Sequence, residues 1–247
     1  MPQILFPPTG KFSLSADTIH LRAVSLENAE AREAAFIHLL SSDEREKASR
    51  FHFGTHRARY TIAHGTLRTL LGHYLQTPPE QLQFLYGEHG KPELAGSNEV
   101  QLYFNLAHSD ELAIYAFALG RKIGVDVEAF HPLPDLFEVA ALYFSKTEIA
   151  TLENLPHEEQ AEAFFNCWTR KEAYLKAHGG GINDRLREIT VTLKPDEPAQ
   201  LANVAYDDTE VQKWEMAAFS PATGYIGAVA VERTTTAWKL QKSQFVY

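Results

Sequence analysis

The chain has 247 residues, 45% of them hydrophobic and 11% aromatic, enough to bury a substantial core as one large domain or two smaller ones. A formal net charge of −9 excludes a general binder of nucleic-acid backbones, and the longest apolar runs, such as 112–119, fall well short of the ~20 residues of a membrane-spanning helix. The opening Met1-Pro2-Gln3 has no charged region followed by an apolar one, and the single cysteine, Cys167, excludes an internal disulfide, so a cytoplasmic protein is expected with Cys167 as a buried thiol among Phe164, Phe165 and Trp168.

Hydrophobic periodicity predicts an opening strand at 18–24, then helices at 26–40, 42–50 and 56–75. In the last of these, Tyr60, Ala63, Leu67, Leu71 and Tyr74 fall on one stripe. Between Glu44 and Lys91 seven Lys or Arg stand against four acids. Such a local basic face on an acidic protein suits a small polyanion, although each charge alone reads equally well as solvated helix surface. Strand-like runs at 102–107, 112–118 and 123–127, the last two separated by Gly120-Arg121-Lys122, predict an antiparallel meander. Beyond Pro132 and Pro134 come helices at 135–142, 146–152 and 157–177 and strands at 189–193, 215–219 and 225–231. Gly179-Gly180-Gly181 reads as a helix C-cap, not as a phosphate cradle.

The second half thus repeats the element order of the first. Ser41-x-x-Glu44 opens a helix followed by Tyr60 and Leu71, and the same offsets 104 positions later give Ser145, Phe164 and Leu175. The expected fold is α+β, a pseudo-two-fold tandem of two similar halves with antiparallel sheets. The halves divide at 1–130 and 131–247, and a ligand cleft lies between them.

The chemistry concentrates in two segments. In Gly124-Val125-Asp126-Val127-Glu128, strand geometry points Asp126 and Glu128 to one face and the valines to the other. Adjacent carboxylates repel unless neutralised, and a hard divalent ion such as Mg2+ would do so. A strand edge kept acidic against aggregation explains the pair equally well. In the helix 164–177, Trp168, Glu172 and Lys176 lie at i, i+4 and i+8 on one ridge, offering a metal ligand and a phosphate-binding cation, or else an ordinary surface Glu/Lys pair. Lys171 falls inside the apolar stripe, where it is expected to reach a buried carboxylate and orient the metal site, unless its stem packs while its amine reaches water. Two weaker signals lie upstream. Gly90-Lys91-Pro92 suits a loop laid against a phosphate or ring. Phe104-Asn105-Leu106-Ala107-His108-Ser109 ends a strand with an amide, an imidazole and a hydroxyl fit for phosphate or ribose oxygens, or for a turn.

Taken in order, Gly90-Lys91-Pro92, the segment 104–109, Ile123-Gly124-Val125-Asp126-Val127-Glu128 and the segment Trp168 to Ala177 resemble the 4′-phosphopantetheinyl transferases of the surfactin-synthetase-activating (Sfp-like) type. The resemblance covers the central half of the chain and hardly touches the first 40 and last 50 residues. It implies a pseudo-two-fold pair of α+β halves with the active site at their interface. Asp126, Glu128 and Glu172 would bind Mg2+ with the coenzyme A diphosphate. Lys91, His108 and Lys176 would contact phosphates, with Gly90, Pro92, Asn105 and Ser109 in the adjoining wall. Lys47, Arg50 and Arg59 would serve the 3′-phosphate, in a pocket where this chain has Glu44 in place of a lysine that some relatives carry.

The implied reaction moves 4′-phosphopantetheine from coenzyme A to a serine of an apo acyl or peptidyl carrier protein, releasing 3′,5′-ADP, with Glu172 and Lys176 as catalytic groups. Because carrier proteins are generally acidic, docking would rest on a local basic patch or apolar contacts. An internal duplication implies a monomer, and neither nucleic acid nor membrane is an expected partner. Two other readings of the same residues are a non-catalytic coenzyme A-binding module and a Mg2+-dependent phosphohydrolase.

Overall fold

The strand-like runs become strands wherever two faces of apolar side chains find a sheet and a helix to cover them. The computed structural model describes residues 14–87, 90–96, 101–179 and 184–245. In chain order, β1 (Thr18–Ser25) leads to a short helix α1 (Ala29–Arg32), two 3-10 turns, then α2 (Ser42–Ser49) and α3 (Gly54–Leu75). A small hairpin, β2 (Phe84–Tyr86) and β3 (Pro92–Leu94), precedes β4 (Leu102–Ser109), β5 (Leu112–Leu119) and β6 (Ile123–Ala129). There follow α4 (Leu136–Tyr143), α5 (Lys146–Glu153), α6 (His157–His178), β7 (Ile189–Val191), β8 (Leu201–Val204), α7 (Glu210–Lys213), β9 (Trp214–Phe219), β10 (Tyr225–Glu232) and β11 (Lys239–Phe245).

Two main sheets result, one ordered β11-β1-β5-β4 and the other β6-β10-β9. Their facing sides share a core of Ile19, Leu21, Ile114, Ala116, Val125, Val127, Phe219 and Val229. On the outer side of the first sheet, Ile62, Ala63, Leu67 and Leu71 of α3 pack on Phe104, Tyr115 and Phe117. Phe164, Ala173, Leu175 and Ala177 of α6 cover the second, against Ala228 and Ala230. The order helix, sheet, sheet, helix is the pseudo-two-fold arrangement expected from the repeat. Both covering helices have 22 residues, and each is preceded by a helix opened by a capping box, Ser41 with Glu44 and Ser145 with Glu148.

Four departures from the sequence expectations have local causes. The helix expected at 26–40 is only a turn of α1 followed by 3-10 pieces at Glu33–Ala35 and Ile37–Leu39. Its entry residue Asn28 is left-handed, and Phe36, buried against Gly65 of α3, separates the two 3-10 pieces at φ −115. The expected meander stops after β4 and β5, because β6 pairs with β10 in the other sheet. Buried Arg121 explains the change of sheet: in the turn before β6 its guanidinium donates to Ala16 O, Thr234 Oγ1 and Thr236 O, tying the turn to both ends of the chain. The strand expected at 189–193 is the shorter β7, with a register shift at Thr190/Val191 in its pairing with β8. Finally, β11 pairs parallel with β1, the one parallel ladder among the described residues. Pairing therefore crosses residue 130 in both directions, β6 joining the second half and β11 the first. Among the described residues no helix is long and apolar enough to cross a membrane.

Candidate active site

Strand β6 does what its alternation dictates: Val125 and Val127 enter the core between the sheets, while Asp126 and Glu128 face α6. Gly124 sets how near that helix comes. A Cβ at this position would overlap Ala173 O and Ala177 N of α6, so only glycine lets the helix backbone lie on the strand. The close approach brings the Trp168, Glu172, Lys176 ridge over the acids of β6. Lys176 Nζ reaches Asp126 Oδ1 at 2.6 Å. Lys91 closes the same end from behind, donating to Lys176 O at 2.6 Å and Ile123 O at 3.2 Å.

Glu128 is held from β4 and α6. Ser109 Oγ donates to its Oε2 at 2.7 Å and accepts from Ala129 N at 3.1 Å. Trp168 lies close enough to lower the Glu128 carboxyl. Two carboxylate oxygens remain buried without a partner, Asp126 Oδ2 and Glu172 Oε1. Burial raises the Asp126 carboxyl against the opposing pull of Lys176, and burial together with the Asp126 charge raises Glu128. Glu172 is pushed up to about 7, chiefly by burial and then by the charges of Asp126 and Glu128, with Lys176 acting in the other direction. Lys176 is itself held above the ordinary lysine value: desolvation lowers it, and the three carboxylates more than offset that.

Basic side chains stand around these acids. His108 of β4 lies below the ordinary histidine value because the cleft desolvates it and because His64, Lys176 and Arg59 add positive charge around it. The guanidinium of Arg59 bonds Glu111 Oε1 at 3.2 Å. Lys91 is drawn down to about 8 by burial.

The expected site residues therefore divide. Asp126, Glu128, Glu172, Lys176, His108, Ser109 and Arg59 come together. Asn105 does not join the wall: buried, it spends Oδ1 on Val125 N at 2.8 Å and clasps β4 to β6. Gly90, at φ 75, and Pro92 shape the turn that delivers Lys91 to the α6 terminus. Lys47 stands over the Tyr60 ring at 5.6 Å, whereas Arg50 is an exposed residue paired with Glu46. Lys171 does reach a buried carboxylate, but the carboxylate is that of Glu148 at 2.5 Å, with Tyr143 O and Leu186 O as further acceptors. Its contacts fasten α6 to the α4–α5 corner and touch no acid of the site, which corrects the orienting role expected from the helical wheel. Glu44 is likewise buried, in its capping box and against Arg68 Nε at 2.6 Å. Sequence reasoning missed His64, whose sole signal was its place one turn after Tyr60.

Among the described residues no three His, Cys, Asp or Glu side chains close into a preformed metal cage. The donor chemistry nevertheless fits a hard divalent cation: two unpartnered buried oxygens, on Asp126 and Glu172, flank the held carboxylate of Glu128.

Two similar α+β units, with acids from β6 and α6 brought together in one cleft, are the setting in which the chain meets known proteins. Residues 122–230 match the 4′-phosphopantetheinyl transferase superfamily, and residues 28–119 match the 4′-phosphopantetheinyl transferase N-terminal family. The chain is 39% identical over 226 residues to the 4′-phosphopantetheinyl transferase HetI of Nostoc sp., covering 91% of this chain and 92% of that protein. It is 30% identical over 161 residues to the 4′-phosphopantetheinyl transferase Sfp of Bacillus subtilis, covering 65% of this chain and 70% of the relative. A solved holo-[acyl-carrier-protein] synthase of Thermotoga maritima superposes on 45% of this chain and 62% of its own at TM-score 0.37 and 19% identity. The chain belongs to the 4′-phosphopantetheinyl transferase superfamily.

Proposed function

We propose that the cleft between β4, β6 and α6 transfers the 4′-phosphopantetheine group of coenzyme A to a serine of an apo acyl or peptidyl carrier protein, with release of 3′,5′-ADP. The observation that carries this reading is the pair of unpartnered carboxylate oxygens, Asp126 Oδ2 and Glu172 Oε1, beside the half-buried Lys176 and near His108 and Arg59. Such a site suits a diphosphate, and an uncompensated cluster of acids suits the cation that accompanies it. Asp126, Glu128 and Glu172 are the side chains that would hold Mg2+, which when bound supplies charge neutralisation at the diphosphate.

The protein's own groups perform the rest. Lys176 and His108 bind phosphate oxygens and, in the transition state, offset the charge that passes to the leaving 3′,5′-ADP. The serine oxygen bonds to the phosphorus that carries pantetheine, the bond from that phosphorus to the oxygen bridging to the 3′,5′-ADP moiety breaks, and Glu172 takes the serine proton, directly or through water. Burial and the charges of Asp126 and Glu128 raise that carboxyl to about 7; beside a bound cation it is drawn back down and stays ionised to accept the proton. One chain carries both walls of the cleft, in keeping with an enzyme that works as a monomer in the cytoplasm.

The test is incubation with coenzyme A, Mg2+ and a panel of apo carrier proteins, read by intact mass. A gain of one phosphopantetheine on the carrier serine is expected, and chelation of Mg2+ is expected to abolish it. Coenzyme A bound without transfer would point to a binding module, and 3′,5′-ADP released without an acceptor to a phosphohydrolase.

A further inference from the structure

On α3, Tyr60 and His64 lie one turn apart with their rings stacked, centroids 4.1 Å apart and planes at 28°. His64 Nδ1 lies 3.4 Å from Glu44 Oε1. That carboxylate is fully committed: its other oxygen accepts from Arg68 Nε at 2.6 Å and Ser41 N at 2.9 Å, and Tyr86 OH donates to Oε1 at 3.3 Å. An ionised carboxylate at Nδ1 keeps a proton on that nitrogen and directs Nε2 away from Glu44, the geometry by which a buried acid orients a histidine. Lys47 stands over the Tyr60 ring. The Tyr60 hydroxyl, on a side chain only 6% exposed, is buried without a partner. A buried phenol O–H left unpaired is costly in a folded chain unless something else accepts from it. His64, with a side chain 12% exposed, is close enough to His108 to act on it electrostatically, with a buried anion beneath to fix the imidazole.

We propose that His64, oriented by Glu44 and stacked on Tyr60, is a phosphate-binding residue of the coenzyme A site: with Nδ1–H given to Glu44, Nε2 donates to the phosphate as the imidazolium held between the two anions, with the Tyr60 hydroxyl as its neighbour. This rests on the coenzyme A reading above and adds to it a residue that the motifs do not contain. Glu44 then takes a different role from the one its charge suggests. It does not weaken a phosphate pocket by facing it; it lies beneath and positions the group that binds.

Binding of coenzyme A and of dephospho-coenzyme A, which lacks the 3′-phosphate, is measured by calorimetry with the wild-type protein, His64→Gln and Tyr60→Phe, alongside thermal melts. Loss of one charge-assisted hydrogen bond is expected to weaken coenzyme A binding to His64→Gln by roughly tenfold. An effect on coenzyme A alone places the contact at the 3′-phosphate; an equal effect on both ligands places it at the diphosphate. Wild-type affinity of His64→Gln for both ligands overturns the proposal. Should His64→Gln also melt early, Tyr60→Phe decides: weaker binding in a protein that melts like wild type supports the proposal, and unchanged binding overturns it. If the wild-type protein binds neither ligand, the coenzyme A reading itself fails.

Discussion

The corner at α2 and α3 and the corner at α5 and α6 are built alike and used differently. In each, a serine caps a helix, the glutamate three residues on closes the capping box, and the carboxylate pairs with a buried cation on the long helix that follows: Ser41, Glu44 and Arg68 in one, Ser145, Glu148 and Lys171 in the other. Glu148 spends its remaining oxygen on Val191 N at 2.8 Å, so that corner is sealed against β7. Glu44 shares its own with His64 and Tyr86, so the first corner opens toward the cleft. The same local motif is a fastener where the next layer is backbone and a support for binding groups where the next layer is side chains. The long helices diverge in the same way. Counted from the helix starts, the sixteenth residue is Thr69 in α3 and Glu172 in α6, and the Thr69 hydroxyl is turned back onto Gly65 O. The two corners share a frame, and of the two long helices α6 is the one that presents a carboxylate to the cleft.

The sharpest test of that divergence is Glu172→Gln, expected to lower kcat by about 10²–10⁴ with an unchanged melt, whereas Thr69→Val leaves kcat within about twofold for lack of any charge to lose. Full activity of Glu172→Gln would place the chemistry elsewhere. Next in size, Lys171→Met strands the Glu148 carboxylate and is expected to cost ~3–5 kcal/mol in chemical denaturation. Adding Glu148→Gln should recover part of that loss. Gly124→Ala forces α6 off β6 and is expected to cost about 1–3 kcal/mol and to lower kcat more than it raises the KM for coenzyme A; a neutral outcome would mean that α6 can slide.

The smallest effect concerns the first corner and pH. Burial alone would raise Glu44, but hydrogen bonds from His64 and Ser41 and the charge of Arg68 hold it down to about 2, against an ordinary 4.5. Since the folded value is the lower one, the contribution is present above the ordinary value and is lost as pH falls through the folded value. The stability gap between wild type and Glu44→Gln should thus be constant near neutrality and narrow as pH falls from about 4.5 toward 2 in urea titrations. A gap independent of pH would show that Glu44 is held by its cap and not by its charge partners.

Much of this was legible in the chain. The long periodic stripes of α3 and α6, the strands at β4, β5, β6 and β10, and the carboxylates Asp126, Glu128 and Glu172 follow from local periodicity, which a 3.6- or 2-residue repeat records directly. The ridge of Trp168, Glu172 and Lys176 follows from helix geometry alone. Local periodicity carries no record of partners, however. It could not place β6 in the second sheet and β11 beside β1, since those choices depend on Arg121 binding both ends of the chain. Nor could it send Lys171 to Glu148, or Glu44 to Arg68 and His64, because a charged side chain reads the same in sequence whether it faces water or a buried counter-charge. The sequence by itself determined which residues carry charge and on which face of each element they sit. Only the tertiary structure decided which of those charges satisfy each other and which, like Asp126 Oδ2 and Glu172 Oε1, are left for a ligand, because burial makes an unpaired charge costly and pairing is settled by distances between elements far apart in the chain.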